Sequence, residues 1–277
     1  MSLKRVLYTV MIAISILVLA GCSTPAAQAT ETATEAPVIR VTDGAGAVIE
    51  LEQPAVKVIS LSPSITEILF AIDAGDQMVG REDMVTYPEE ALAVASVGSL
   101  FGDLPTETIL SMEPDLVLAG EIVTAEQVDA LKALGLTVFW QANPTNFEGL
   151  YQNSKDLGVL TGNTAKADAL VSDLQGRVNA VTEKLADVQE KPAVFYQLDS
   201  TDPANPWTSG GGTFIDYIIN MAGGASISSD LDAYAQISTE DLITRNPDVI
   251  LMGDAMYGIT AESVAARPGW DVIKAVQ

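Results

Sequence analysis

Apolar residues along this chain fall into two alternating kinds of run. Val56, Val58, Ile59 and Leu61 form a short block rich in β-branched residues, which Ser62-Pro63-Ser64 interrupts. Ile65, Ile68, Leu69 and Ile72 then recur at helical spacing. The succession continues with a helix over 105–112 ended by Pro114, a strand over 115–119 and a helix over 125–134. A strand over 136–140 and a helix near 147–157 follow. Ahead of them, 38–41 and 47–51 flank Asp43-Gly44 as a short antiparallel hairpin. Apolar strands alternating with helices across short turns predict a parallel sheet covered on both faces.

Residues 164–188 break that rhythm. Ala167, Leu170, Leu174, Val178, Val181 and Leu185 make one helical apolar stripe, with much of the charge on the other face. A helix of this length spans roughly 35 Å, enough to cross between two lobes. A covering helix of one lobe would show the same stripe. The pattern then resumes with a strand over 193–198, a loop over 199–212, and a helix over 213–221 stopped by Gly223-Gly224. Ser238 caps a further helix, and 248–252 reads as the next strand.

The two halves are related. Residues 106–120 return at 239–253, 133 positions later, with Thr, Glu, Pro, Asp, Leu and Gly in register. Residues 66–75 match 215–224 at an offset of 149, and this pair comes first in both halves. Collinear order predicts two related lobes, with the long helix between them favoured as the bridge. Glu107 and Glu240 then occupy matching places. The second half lacks counterparts of the first half's last strand and helix, so the end at Gln277 reads as a truncation. The expected fold class is α/β: two Rossmann-like lobes with mostly parallel sheets, joined by a single long α-helix, with a ligand cleft between the lobes. The expected segments are a leader (1–21), a tether (22–37), an N-terminal lobe (38–160), the inter-lobe helix (161–188) and a C-terminal lobe (189–277).

Composition adds the address. Lys4 and Arg5 precede an apolar run over 6–20, and Leu19-Ala20-Gly21-Cys22 closes it. Small residues ahead of a cysteine are the bacterial lipoprotein pattern, which would leave Cys22 as a lipidated N-terminus. A membrane-spanning helix is the other reading, but the run falls short of the ~20 residues a bilayer needs. Cys22 is the only cysteine, so stability must come from packed cores rather than disulfides. Residues 23–37, rich in Thr, Ala and Glu without apolar period, read as a flexible tether.

Lys and Arg number 14 against 37 Asp and Glu, a formal charge of −23. That balance argues against nucleic acid and against adsorption to anionic lipid. It permits docking on a basic protein surface, though simple solubility accounts for such charge equally well. Histidine is absent, which removes the usual zinc ligands, His-dependent nucleophiles and His-ligated haem.

Ligands of open parallel sheets sit beyond the carboxyl ends of the strands. The loops so placed are 60–64 (with Ser62 and Pro63), 84–87, 98–103, 120–123, 199–212 and 232–236. They carry Tyr87, Phe101, Trp207 and Tyr234, which offer flat faces to a large, partly apolar ligand or else fold back into the core. Gly210, Gly211 and Gly212 would let backbone N–H groups approach a ligand, or serve only as a turn. Glu107 and Glu240 lie in first helical turns, where a carboxylate complements the helix dipole. Their equivalence also suits a pair of arginines on a two-fold partner. An enzyme on this scaffold would lack a His base, and no Ser-Lys pairing is evident. A lipid-anchored sensor that signals by docking is a further possibility.

The stretch 58–69, Tyr87-Pro88-Glu89-Glu90-Ala91, the 107–118 stretch, and Trp207-Thr208-Ser209 through Ile237-Ser238-Thr239-Glu240 together resemble a known family. It is the long-helix (class III) substrate-binding lipoproteins of ABC importers, which take up cobalamin, haem and ferric siderophores. The similarity covers about 56–270. Asn205-Pro206-Trp207-Thr208-Ser209-Gly210 is similar to the cobalamin-binding members, whose matching loop sets an aromatic against the corrin. The resemblance implies aromatic cleft positions at Phe101 and Tyr234, and permease-docking carboxylates at Glu107 and Glu240. It implies no catalysis and no resident cofactor or metal. The cargo would be a corrinoid or another metal chelate, the partner an ABC permease dimer, and the location extracytoplasmic, held to the membrane through Cys22. Met84 and Gly120 stand where the best-matched members carry aromatics. The candidate loops themselves hold no Lys or Arg, although Arg81 is adjacent, and this suits a ligand of low net charge better than carboxylate-rich siderophores or haem.

Overall fold

The computed structural model describes residues 38–277. The leader, Cys22 and the tether lie outside the described residues. The predicted hairpin is present as β1 (Ile39–Thr42) and β2 (Val48–Leu51), paired antiparallel.

Five strands make the first sheet: β3 (Val58–Leu61), β4 (Met78–Glu82), β5 (Ser96–Gly98), β6 (Leu116–Gly120) and β7 (Val138–Gln141). Their order is β5-β4-β3-β6-β7 and every pairing is parallel. Alternation explains why β3 and β6 read as continuous apolar runs. Val58, Leu116 and Leu118 enter one core with Ile65, Leu69 and Leu157. Ile59, Leu61, Val117 and Ala119 enter the opposite core with Ile109, Val128 and Leu131. Neither face meets water, so neither face is polar. The covering helices are α1 (Pro63–Ala71), α2 (Thr106–Ser111), α3 (Ala125–Ala133) and α4 (Phe147–Thr161).

Helix α5 (Thr164–Leu185) is the long helix, 22 residues and about 33 Å at 1.5 Å per residue. Ala167 and Val171 near its start are buried, with Ala167 in the core of the first sheet. At its far end Leu185 lies against the chain at Gly223, where a Cβ would stand 2.9 Å from Leu185 Cδ2. The helix therefore touches both halves, as its place between the repeats predicted.

The second sheet forms around β8 (Ala193–Asp199), with β9 (Trp207–Ser209), β10 (Ala225–Ser226), β11 (Tyr234–Gln236) and β12 (Val249–Met252). β10 and β12 run parallel to β8, whereas β9 pairs antiparallel with β8 and with β11. Two segments expected to be loops, 207–209 and 234–236, are thus strands. Their Gly, Asn and Pro neighbours hid them, because the ladder that defines them is a tertiary pairing. Helix α6 (Phe214–Met221) follows β9, and α7 (Thr239–Arg245) precedes β12, with α8 (Ala261–Ala265) beyond it. Phe195, Ile237, Leu242, Val264, Trp270 and Ile273 fill this core.

One buried polar network crosses the second half. Arg267 donates to Gln197 Oε1 at 2.6 Å and to Ser200 Oγ at 2.8 Å. Asp254 accepts from Gln197 Nε2 at 2.7 Å and from Ser200 Oγ at 2.6 Å. The guanidinium carbon sits 4.5 Å from the Trp270 ring centroid. A buried cation and a buried anion are thus joined through two neutral groups, each satisfied. Desolvation pulls the Arg267 pKa below its ordinary value.

Candidate functional site

Strand β3 is where the order of the first sheet reverses, with β4 and β5 on one side and β6 and β7 on the other. Connections run from this point in opposite directions, and the carboxyl end of such a strand is where open parallel sheets hold their ligands. Ser62 and Pro63 stand there, at the start of α1. Thr66 Oγ1 donates to Ser60 Oγ at 2.9 Å, and Ser60 Oγ donates to the Ser62 carbonyl at 3.0 Å. Ser62 is itself buried, its hydroxyl 3.0 Å from that of Ser64. Pro63 and Ser64 are the exposed residues at this point, so of the two residues anticipated here only Pro63 faces solvent. Gly120 of β6 packs against this point: a Cβ there would lie 3.0 Å from Ser62 Cβ, so a larger residue would push Ser62 aside.

The neighbouring loops present the anticipated aromatics. Tyr87, after β4, is 66% exposed, and Phe101, after β5, is 71% exposed. Met84 and Ile122 are exposed in the loops after β4 and β6. None of these side chains folds back into the core.

In the second half the strand pairing decides the geometry. Trp207 pairs with Gln236, and Ser209 pairs with Tyr234. In an antiparallel ladder this puts Trp207 and Tyr234 on one face as diagonal neighbours. They remain 42% and 52% exposed, so both rings are available to a ligand. Gln236 Nε2 donates to the Asn205 carbonyl at 3.0 Å and braces the approach to Trp207. Of the two roles allowed above for the glycine run, ligand approach is not the one Gly210 and Gly211 take. Gly210 N–H donates to the Ala233 carbonyl at 2.5 Å, and Gly211 N–H to the Leu231 carbonyl at 2.9 Å. A Cβ at Gly211 would meet the Ser229 carbonyl oxygen at 2.3 Å, so these glycines serve close backbone packing.

Charge around these loops is acidic and the nearby cations are committed. Arg81 donates from Nε to the Ala91 carbonyl and from Nη1 to the Glu82 carbonyl, both at 3.0 Å. Arg245 is spent on Asp230 and Asp241. Asp199 is held below the usual carboxylate range by the Thr201 hydroxyl and N–H, and Asp202 by the Asn205 amide and the Ala204 N–H. Glu82 differs: it is buried at the end of β4, and burial pushes its carboxyl up. Its Oε2 accepts from the Met84 N–H at 2.6 Å while Oε1 has no partner. No cluster of three metal-ligating side chains occurs among the described residues.

Glu107 and Glu240 both lie exposed in the first turns of α2 and α7. Helix α7 is capped by Ser238 Oγ, which accepts from the Asp241 N–H at 3.1 Å, whereas α2 has no side-chain cap. Neither glutamate joins an ion pair among the described residues. They are free to meet an outside cation.

The turn after β12 was not among the candidate loops. Met256 and Tyr257 stand on the turn that follows the carboxyl end of β12. The 133-residue offset places this turn opposite the loop after β6, so the repeat carried the signal. An apolar cavity of about 670 Å³ is bounded by Phe147, Leu174, Val178, Phe214, Ile218 and Leu251, and none of the four loop aromatics lines it.

A family profile described as periplasmic binding protein matches residues 58–277. The chain belongs to that family. An ABC transporter substrate-binding lipoprotein of Bacillus subtilis is 32% identical over 269 residues, covering 94% of this chain and 83% of the relative. The vitamin B12-binding protein of Yersinia pestis is 32% identical over 202 residues, 72% of this chain and 70% of the relative. Among solved structures, the apo form of a periplasmic haem-binding protein from Roseiflexus superposes with a TM-score of 0.71 at 26% identity. That likeness covers 79% of this chain and 85% of the other. Family members are two-lobed extracytoplasmic proteins that bind substrates for ABC transporters, and they are not enzymes. No helix among the described residues is long and apolar enough to cross a membrane.

Proposed function

We propose that this protein captures a corrinoid, cobalamin or a close analogue, between its two halves and delivers it to an ABC permease. One observation carries the reading: exposed aromatic faces at loop positions of both halves, Tyr87 and Phe101 in the first and Trp207 with Tyr234 in the second, while the adjacent Arg81 and Arg245 are engaged elsewhere. A corrin offers two broad faces and a rim of neutral amides, so it matches stacking surfaces without demanding arginine. Pro63 with Ser62 and Ser64 behind it stands at the carboxyl end of β3 in the first half. Glu107 and Glu240 dock on a two-fold permease, and a lipid on Cys22 holds the protein at the membrane through the 22–37 tether. The first half (38–160) and the second (189–277) act as the lobes, with 161–188 as their link. The vitamin B12-binding relative agrees with this cargo.

Titration of the purified mature protein with cyanocobalamin, read by heat and by tryptophan quenching, tests the assignment. A saturable quench at micromolar ligand is the expected result. Neither heat nor quench at that concentration would sink it.

A second reading is haem or a ferric chelate. Tyr87 and Tyr234 are exposed phenols able to ligate iron, and the Roseiflexus likeness points the same way. A haem titration that shifts the Soret band, and loses the shift in Tyr87→Phe or Tyr234→Phe, would favour it.

A further inference from the structure

Besides the long helix, the two halves touch through aromatic rings. Phe147 opens α4, where Asn146 Oδ1 caps the helix by accepting from the Gly149 N–H at 2.9 Å. Its ring meets Phe214 of α6 edge-on, with centroids 5.8 Å apart at 89°. It meets Tyr217 at 5.5 Å and 73°, while Tyr151 stacks behind it at 6.1 Å and 13°. Phe214 and Tyr217 lie 6.4 Å apart on their own helix. One ring from the first half, backed by Tyr151, therefore meets two from the second. Among the described residues no backbone hydrogen bond joins 38–161 to 193–277. No ion pair does so either. Edge-on rings resist compression and separation but have no directional bond to break when one helix rocks against the other. Phe214 also follows Trp207–Ser209 after four residues, so the contact and the candidate site lie on one short stretch of chain.

We propose that Phe147, Phe214 and Tyr217 form the joint that fixes the spacing of the two halves and so positions Tyr87 and Phe101 against Trp207 and Tyr234. This rests on the reading of the inter-lobe cleft as the ligand site. The three are positioning residues: their rings act through the spacing they set, not by touching ligand.

The test is a distance measurement that needs no ligand. Spin labels at Ser111→Cys and Thr244→Cys, equivalent positions of the repeat, are placed in the mature chain carrying Cys22→Ser, and the distance distribution is read by double electron–electron resonance. The parent should give one narrow distribution. Phe147→Ala and Phe214→Ala should broaden it, and Phe147→Leu, which keeps most of the volume and will fold if the alanine variant does not, should broaden it less. The alanine variants should also release cyanocobalamin about tenfold faster, the loss expected for one edge-on contact. Phe147→Tyr, which restores the ring, should return both readouts to the parent values. A distribution as narrow as the parent's in Phe147→Ala or Phe147→Leu, with native far-ultraviolet dichroism, overturns the joint. If the parent binds no cyanocobalamin, the ligand assignment fails while the distribution widths still decide the joint.

Discussion

Replacing Trp207 with alanine separates affinity from stability. A buried tryptophan covers roughly 150–250 Å². Trp207 keeps 42% of its surface exposed, so about 100 Å² is left for a ligand to cover. At ~25 cal/mol per Å² that contact is worth about 2.5 kcal/mol, or a 50–100-fold rise in Kd. The fold should notice far less, because the strand around the ring is held by backbone pairs from 207 to 209 with 234 to 236 rather than by the indole. Isothermal titration with cyanocobalamin and a parallel melt of Trp207→Ala would check both halves of the statement, and Trp207→Phe should recover part of the affinity. A variant that binds within threefold of the parent would show that ligand does not cover this ring. A large drop in Tm with unchanged affinity would show that the indole serves the fold instead.

Reversing Glu107 and Glu240 together to lysine should leave ligand affinity unchanged and abolish uptake in cells, since both are exposed and join no ion pair among the described residues; a fall in affinity instead would assign them to the pocket or the fold. Arg267→Ala strands the buried Asp254 charge and should cost about 3 kcal/mol, visible as a fall in Tm of roughly 6–12 °C in a melt. A loss below about 1 kcal/mol would mean the network is dispensable. Glu82 sits above the ordinary carboxylate range because it is buried, so the folded chain holds its proton more tightly than the unfolded chain. Its contribution to stability is present below the unfolded pKa and is lost as pH rises through the raised folded value. Glu82→Gln should therefore be the more stable protein at pH 8 and lose that advantage at pH 4, as urea unfolding at the two pH values would read; equal stability at pH 8 would refute the reasoning.

Much of the first half was legible because its strands are buried on both faces. Val58, Ile59 and Leu61 had to be apolar in succession, and the helices between them had to carry one stripe each. The long helix was legible from its stripe, and its predicted end at 188 differs from Leu185 only by a fraying turn. Trp207 was legible as a candidate but not as a strand residue. A three-residue strand has too few positions for period two to register, and its partners Tyr234 to Gln236 lie far along the chain. Ser62 was named as a ligand-contact candidate, yet it is buried against Gly120, a neighbour supplied by β6. Met256 and Tyr257 were not singled out because no local pattern marks a residue as exposed at a strand's end.

Local chemistry determined what could be read from the sequence alone. Apolar period set the strands and helices, the doubled 106–120 and 239–253 motif set two related halves with matching glutamates, and the lack of histidine limited the chemistry. Tertiary structure decided which groups remain free. Arg81, adjacent to the candidate loops, has its donors on the Ala91 and Glu82 carbonyls. Of the two roles open to the glycine run, ligand approach is closed to the Gly210 and Gly211 N–H groups because backbone carbonyls take them. The aromatic contact of Phe147 with Phe214 and Tyr217 was likewise beyond sequence, since residues so far apart meet only when the two halves are built. Identity and spacing are properties of the chain, whereas satisfaction of a donor or exposure of a ring depends on what the rest of the fold brings beside it.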